Sequence, residues 1–193
     1  MNNIMNKATA QGGIITTAEL SKQSDYLKIV RATKRGDLIR VRHGVYAVPD
    51  ALFNTMMDVE RVIPNGIVCL YNAWAYHHLS TVVPPSFSIA IESKRKIAIP
   101  PTLPIELYYW KKENLKFGIM SAEISGHHVH ITDMERSVCD AVKYRNKIGM
   151  EVCSEVIRNY LKKKNRNLSR LSEYAKRLRV ANILKNYIEI AIG

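Results

Sequence analysis

Ten residues near the start of the chain restrict its fold more than any other stretch. In Ile39-Arg40-Val41-Arg42-His43-Gly44-Val45-Tyr46-Ala47-Val48, apolar and basic residues alternate before a His-Gly pair, and a second apolar run follows it. Period-two alternation on either side of a glycine is the pattern of a β-hairpin, predicted here as Leu38–Arg42 and Val45–Val48. What precedes the hairpin is helical. A short helix over about Ile4 to Gln11 is stopped by Gly12-Gly13, and Gly13 to Thr16 reads as a brief strand. Thr17 is a suitable N-cap for a helix over Ala18–Lys22, and Ser24 for one running to about Arg35, with Asp25 in its first turn. Gly36-Asp37 ends that helix.

Helix, strand, helix, helix and hairpin within 49 residues is the element order of a winged helix-turn-helix. The helix before the hairpin would be the recognition helix. Leu27 and Val30, at i and i+3, are expected to face the core, which leaves Tyr26, Lys28, Arg31, Lys34 and Arg35 outward. In the wing, Arg40 and Arg42 alternate with Ile39 and Val41, so the two arginines are expected on one face, next to His43. These eight residues form the expected DNA-binding surface.

Charge supports a polyanionic partner. The chain has 193 residues, 29 Lys+Arg against 17 Asp+Glu, and a net charge of +12. The excess is concentrated at two places: residues 1–49 carry eight bases against three acids, and residues 141–179 twelve against three. Arg158, Lys162, Lys163, Lys164 and Arg166 therefore form a candidate second DNA-contacting patch in the C-terminal helices. An apolar content of 47% excludes a natively unfolded chain, and no apolar window is long enough to span a membrane. Met1 to Lys7 has no signal-peptide pattern, and three unpaired cysteines (Cys69, Cys139, Cys153) fit a reducing cytoplasm.

The pattern changes after Pro49-Asp50, which we take as the boundary between domains of residues 1–49 and 50–193. Ala51–Ile63 and Ile67–Leu79 are predicted helices. Phe87–Ile91, Lys96–Ile99, Ile105–Trp110 and His127–Ile131 are predicted strands, and three or four helices close the chain. The fold class is α+β, with a mixed α/β domain following the winged helix.

Candidate catalytic motifs are weak. Thr132-Asp133-Met134-Glu135 is a capping box, Thr132 bonding the Glu135 amide and Glu135 reaching back, and Arg136 and Asp140 are spaced to pair along one helix. His128 and His130 would share one face of a strand beside His127, but no further ligand pattern accompanies them, so no metal is expected. Glu92-Ser93-Lys94 has the spacing of half a metal-dependent nuclease site, yet no acid lies between Arg61 and Ile91 to complete it; Lys94-Arg95-Lys96 reads as a basic turn. Nucleophile elbows and phosphate-binding glycine loops are missing. Neither catalytic residues nor a cofactor are expected.

Gly12 to Leu20, followed by Lys34 to Tyr46, resembles the N-terminal winged helix-turn-helix of AbiEi-type antitoxins of bacterial abortive-infection (type IV) toxin–antitoxin systems, which serve in phage defence. Cys69 to Leu79 and Ile131 to Asp140 are similar to later segments of the same family. The resemblance implies a repressor that binds inverted repeats in its own promoter. It also implies a C-terminal domain that counters a nucleotidyltransferase toxin without forming a stable complex with it. The partners would be double-stranded DNA and that toxin, with no membrane. The alternative is a winged-helix regulator whose C-terminal domain senses a ligand or mediates oligomerisation.

Overall fold

The computed structural model describes residues 2–20, 22–52, 59–97, 99, 103–124 and 126–192. The fold is α+β, and the chain forms two compact units. The first contains residues 1–66, 94–105 and 123–129; the second contains 67–93, 106–122 and 130–193. The first unit thus includes all of residues 1–49, continues to Gly66, and takes in two later segments.

In the first unit, α1 (Asn2–Ala10) places Ile4 and Ala8 one turn apart on its inner side. Gly13 donates its amide to the Ala8 carbonyl at 2.8 Å and holds φ at +83°, so the chain turns sharply into β1 (Ile14–Thr16). A single 3-10 turn follows at Thr17–Glu19. It is opened by Thr16, whose amide donates to the Glu19 carboxylate at 3.2 Å, one residue earlier than the Thr17 cap expected. Helix α2 (Gln23–Arg35) begins after Lys22. Ser24 therefore lies inside its first turn and does not cap it. Gly36, at φ +83°, closes the helix by donating to the carbonyls of Ala32 and Thr33.

Strands β2 (Ile39–Arg42) and β3 (Val45–Ala47) form the hairpin, with Gly44 at φ +74° in the turn. β1 joins β3 antiparallel, so the small sheet runs β1-β3-β2. Ile4, Ala8, Ile15, Ile29, Ala32, Leu38 and Tyr46 make its core. Two short helices, α3 (Pro49–Leu52) and α4 (Val59–Val62), bracket the helix predicted over Ala51–Ile63; residues 53–58 of that prediction lie outside the described residues. Lys96–Ile99 does not form the predicted strand at its described residues; it runs as irregular backbone.

The five-stranded sheet has the order β6-β5-β4-β8-β7, with β4 (Ile67–Val68), β5 (Phe87–Glu92), β6 (Ile105–Trp110), β7 (Ile119–Ile124) and β8 (His127–Thr132). β4 pairs antiparallel with β5 and parallel with β8, which makes the sheet mixed. The helix predicted over Ile67–Leu79 is divided: β-branched Ile67 and Val68 take the strand and only Leu70–Tyr76 coils, as α5. Helices α6 (Met134–Ile148), α7 (Met150–Leu161), α8 (Leu168–Arg177) and α9 (Ala181–Ile192) complete the second unit. Trp74 and Trp110 are fully buried, their indole N–H groups donating to the Ser137 carbonyl and the Tyr144 hydroxyl, each at 2.9 Å.

Candidate nucleic-acid interface

The outward face of α2 follows from its helical phase. Successive residues turn by about 100°. Ile29 and Ala32 are the residues buried against the core, so positions about half a turn away point straight out. Those are Leu27, Arg31 and Lys34, with Lys28 and Arg35 on one flank and Tyr26 on the other. The expectation that Leu27 faces the core is overturned: its side chain is 52% exposed, two residues and roughly 200° from Ile29. Val30 is half-buried at the edge of the core.

The bases on this face are not equally available. Lys28 pairs with Asp25 at 2.8 Å, and that hydrogen bond holds the aspartate carboxyl below its ordinary range. Arg35 pairs with Asp37 at 2.8 Å. Exposed pairs of this kind contribute little to stability, but they do reduce the local positive charge. Arg31 and Lys34 are exposed and have no carboxylate partner among the described residues. Tyr26 is also exposed. The result is a ridge with an apolar side chain at one end and two unneutralised bases behind it. Leu27 is the residue that sequence reasoning missed. The signal was the phase of Ile29 and Ala32, which selects the inner face better than the Leu27/Val30 pair.

The two wing arginines do not share one environment. A bulge between Arg40 and Arg42 interrupts the alternation, with Val41 buried between them. Arg40 is exposed, and its guanidinium donates to His43 Nδ1 at 3.0 Å. Arg42 is half-buried and donates backward, from Nε to the Val62 carbonyl at 2.9 Å and from Nη2 to the Arg61 carbonyl at 3.2 Å. Arg61 in turn donates to the carbonyls of Gln11 and Ile14 and pairs with the Glu19 carboxylate. This network fastens α4 to the start of the domain and fixes the wing's position.

In the second unit, Arg158 is exposed on α7, and Lys162, Lys163, Lys164 and Arg166 crowd the turn between α7 and α8. Arg166 donates to the Lys163 carbonyl at 2.8 Å. Farther along, Arg170 lies 3.6 Å from Glu135 and Arg177 2.7 Å from Glu173, so α8 is more nearly balanced than its base count implied.

Several of the remaining sequence candidates have structural partners. Asp133, not Thr132, caps α6, accepting from the Arg136 amide at 2.8 Å. The Thr132 hydroxyl instead meets Ser137 Oγ at 2.8 Å, within the interior. Glu135 does not reach back to the cap; its Oε1 accepts from the Tyr160 hydroxyl at 3.1 Å and the Asn167 amide at 2.9 Å. Arg136 and Asp140 do pair, at 3.0 Å and with both side chains fully buried. His128 and His130 are exposed on β8. His77 is tied to the Thr132 carbonyl at 2.7 Å, and burial pushes its pKa down. Among the described residues no three His, Cys, Asp or Glu side chains gather to hold a metal, around Glu92 or elsewhere. No helix among them is long and apolar enough to cross a membrane.

Residues 4–49 match a family model described as "Transcriptional regulator, AbiEi antitoxin". The match starts within α1 and ends two residues after the wing, so it coincides with the winged helix-turn-helix element by element. The N-terminal segment is thus similar to the transcriptional-regulator domain of AbiEi-type antitoxins. No curated protein sequence matches the chain.

Proposed function

We propose that the chain is a cytoplasmic, DNA-binding antitoxin. It represses its own operon through inverted repeats in the promoter and counteracts a nucleotidyltransferase toxin without a stable complex. The functional division falls at residues 49/50. The observation that carries the DNA-binding half is the exposed ridge of Leu27, Arg31 and Lys34, held on a capped 13-residue helix inside the matched regulator domain. A helix of this kind reads base edges in the major groove, with arginine suited to guanine and an apolar side chain to the thymine methyl. Lys34, at the far end of the ridge, and Tyr26, Lys28 and Arg35 on its flanks serve as phosphate contacts, and Arg40 and His43 serve the wing. Arg42 acts mainly by holding the wing in place. The antitoxin half rests on the family match and on the resemblance of the segments around Trp74 and Arg136.

Gel-shift titration on the chain's own promoter tests this reading. Arg31→Ala should cost about 1–3 kcal/mol and relax base preference, and Lys34→Ala should weaken all sequences alike. Unchanged affinity in both would remove the recognition-helix assignment. Co-expression with the neighbouring toxin gene tests the other half: growth should be restored by the full chain, and failure to restore it would leave only a regulator.

A further inference from the structure

We propose that Arg95 and Lys96, far outside the matched domain in sequence, join the wing to form a groove for the phosphodiester backbone of duplex DNA. The inference rests on the DNA-binding reading above and extends it to residues that reading does not include. Within the first unit, the irregular segment carrying Arg95 and Lys96 lies along β2, and the two enclose an open groove of about 710 Å³. Arg40, Arg42 and His43 line it from the wing, and Arg95 and Lys96 from the other side; Val41, Ile97 and Ile99 supply its apolar parts. Among the described residues no acid lines the groove, and the sequence from Ile97 to Ile105 contains none.

Two of these cations are held in advance. Arg42 spends two donors on the carbonyls of Val62 and Arg61, and Arg95 spends one on the Pro64 carbonyl at 2.6 Å. A guanidinium has five N–H donors, so three remain on Arg42 and four on Arg95. Arginines anchored from behind lose less side-chain freedom when they bind a phosphate, and their planar forks suit its oxygens. Lys96 and Arg40 are exposed beside them, Arg40 bonded to His43 within the wing. Four permanent cations around one groove repel each other, and a polyanion relieves that repulsion. The groove is far larger than a single phosphate and is continuous with the wing, which favours a nucleic-acid strand over a small anion. Its role is affinity and register, since phosphate contacts do not themselves read sequence.

The test uses the full chain and a fluorescently labelled duplex containing its own promoter, with anisotropy titrations between about 50 and 200 mM salt. Lys96→Gln should lower the slope of log affinity against log salt by about 0.9 and weaken promoter and scrambled duplexes equally. Lys94→Gln removes the same charge from a neighbouring exposed residue that does not line the groove, and should leave the slope unchanged. Arg95→Gln also removes the bond to Pro64, so the exposed Lys96 variant carries the test if Arg95→Gln misfolds. Wild-type affinity and slope in Lys96→Gln, with binding lost in Arg31→Ala, would overturn the groove and leave the recognition helix standing. Equal effects of Lys94→Gln and Lys96→Gln would also overturn it, in favour of a diffuse field. No binding of any duplex by the wild-type chain would overturn the DNA-binding reading itself, and the groove with it.

Discussion

Arg136 ties several segments of the second unit together. Its Nε donates to both Asp140 oxygens at 3.0 and 3.1 Å, and Nη1 donates to the carbonyls of Asn114 and Phe117 at 2.8 and 3.1 Å. The guanidinium also lies 4.3 Å from the ring centre of Trp110 and 4.6 Å from that of Phe117. Both members of the ion pair are fully buried. Removing one partner of such a pair costs about 3–5 kcal/mol, because the other is left charged and unsolvated. Arg136→Met also strips the two loop carbonyls of their donor, which costs about 1–3 kcal/mol for each that stays buried. A loss of at least about 4 kcal/mol is expected. With a urea m-value of about 1–3 kcal/mol/M, the midpoint should fall by roughly 1–4 M. The only two tryptophans, Trp74 and Trp110, are in this unit, so intrinsic fluorescence follows its unfolding selectively.

A double variant sharpens the test. Arg136→Met with Asp140→Leu replaces both charges by apolar groups, and only the carbonyl penalty remains, so it should be more stable than Arg136→Met alone. The pH dependence has a definite sign. Burial already pushes the Asp140 carboxyl up against the pull of Arg136, and without the arginine it rises further. Below the unfolded carboxyl pKa of about 3.9 both states are protonated and the penalty vanishes; it grows as pH rises toward the folded value. The gap between variant and wild type should therefore narrow from pH 7 toward pH 4. An Arg136→Met midpoint within experimental error of wild type, or a double variant whose loss equals the sum of the two single losses, would refute the reasoning.

Other substitutions and reagents test the same unit. Gly118 sits at φ +65° with Arg136 Cβ 2.6 Å from where its own Cβ would be, so Gly118→Ala should destabilise by about 1–3 kcal/mol in the same titration. All three cysteines are buried, and burial pushes their thiols up, Cys153 to about 11; a thiol-titrating reagent at pH 8 should react slowly with the native protein and fully after denaturation. Burial raises the Glu155 carboxyl, but hydrogen bonds from the Thr81 amide and the hydroxyls of Ser80 and Thr81 outweigh it and hold the carboxyl low. That stabilisation is present above the unfolded pKa of about 4.3 and lost as pH falls through the folded one, so acidification should cost the wild type more than Glu155→Gln.

What the sequence made legible was local. Gly36 and the His43-Gly44 pair mark real turns because each glycine occupies a positive-φ position, a requirement visible in one residue. The Arg136–Asp140 spacing showed a pair, but not that Trp110 and Phe117, from distant segments, would close over it. The phase of α2 was misjudged because Leu27 and Val30 look as apolar as Ile29 and Ala32. Only the packing of Ile29 against Leu38 and Tyr46 in one core decides between them. Lys96–Ile99 has the alternation of a strand, yet no strand pairs with it among the described residues, and pairing is a property of the partner as much as of the segment. The groove beside the wing depends on an approach across some fifty residues, and no spacing rule reports it.

The basic turn after α7 allows two explanations that one experiment separates. Lys162 occupies the C-terminal cap of α7, where a cation interacts favourably with the helix dipole, by about 0.3–1 kcal/mol. That accounts for one lysine. Lys163 and Lys164 follow directly, and none of the three lysines has an ion-pair partner among the described residues; Arg158 stands one turn before the cap, where its charge also acts on Glu155. On α8, by contrast, Arg170 and Arg177 both have acidic partners. Charge that is matched where structure requires it and unmatched in one turn is what electrostatic attraction to a polyanion needs. If this turn touches DNA, replacing Lys162, Lys163 and Lys164 by alanine should flatten the salt slope by about 0.9 for each phosphate no longer neutralised and leave base preference unchanged. If the lysines serve only the helix end, the same variant should lose a fraction of a kcal/mol in the urea titration and keep its slope. Wild-type affinity with an unaltered slope would therefore return the turn to a role in stability and confine DNA binding to the first unit.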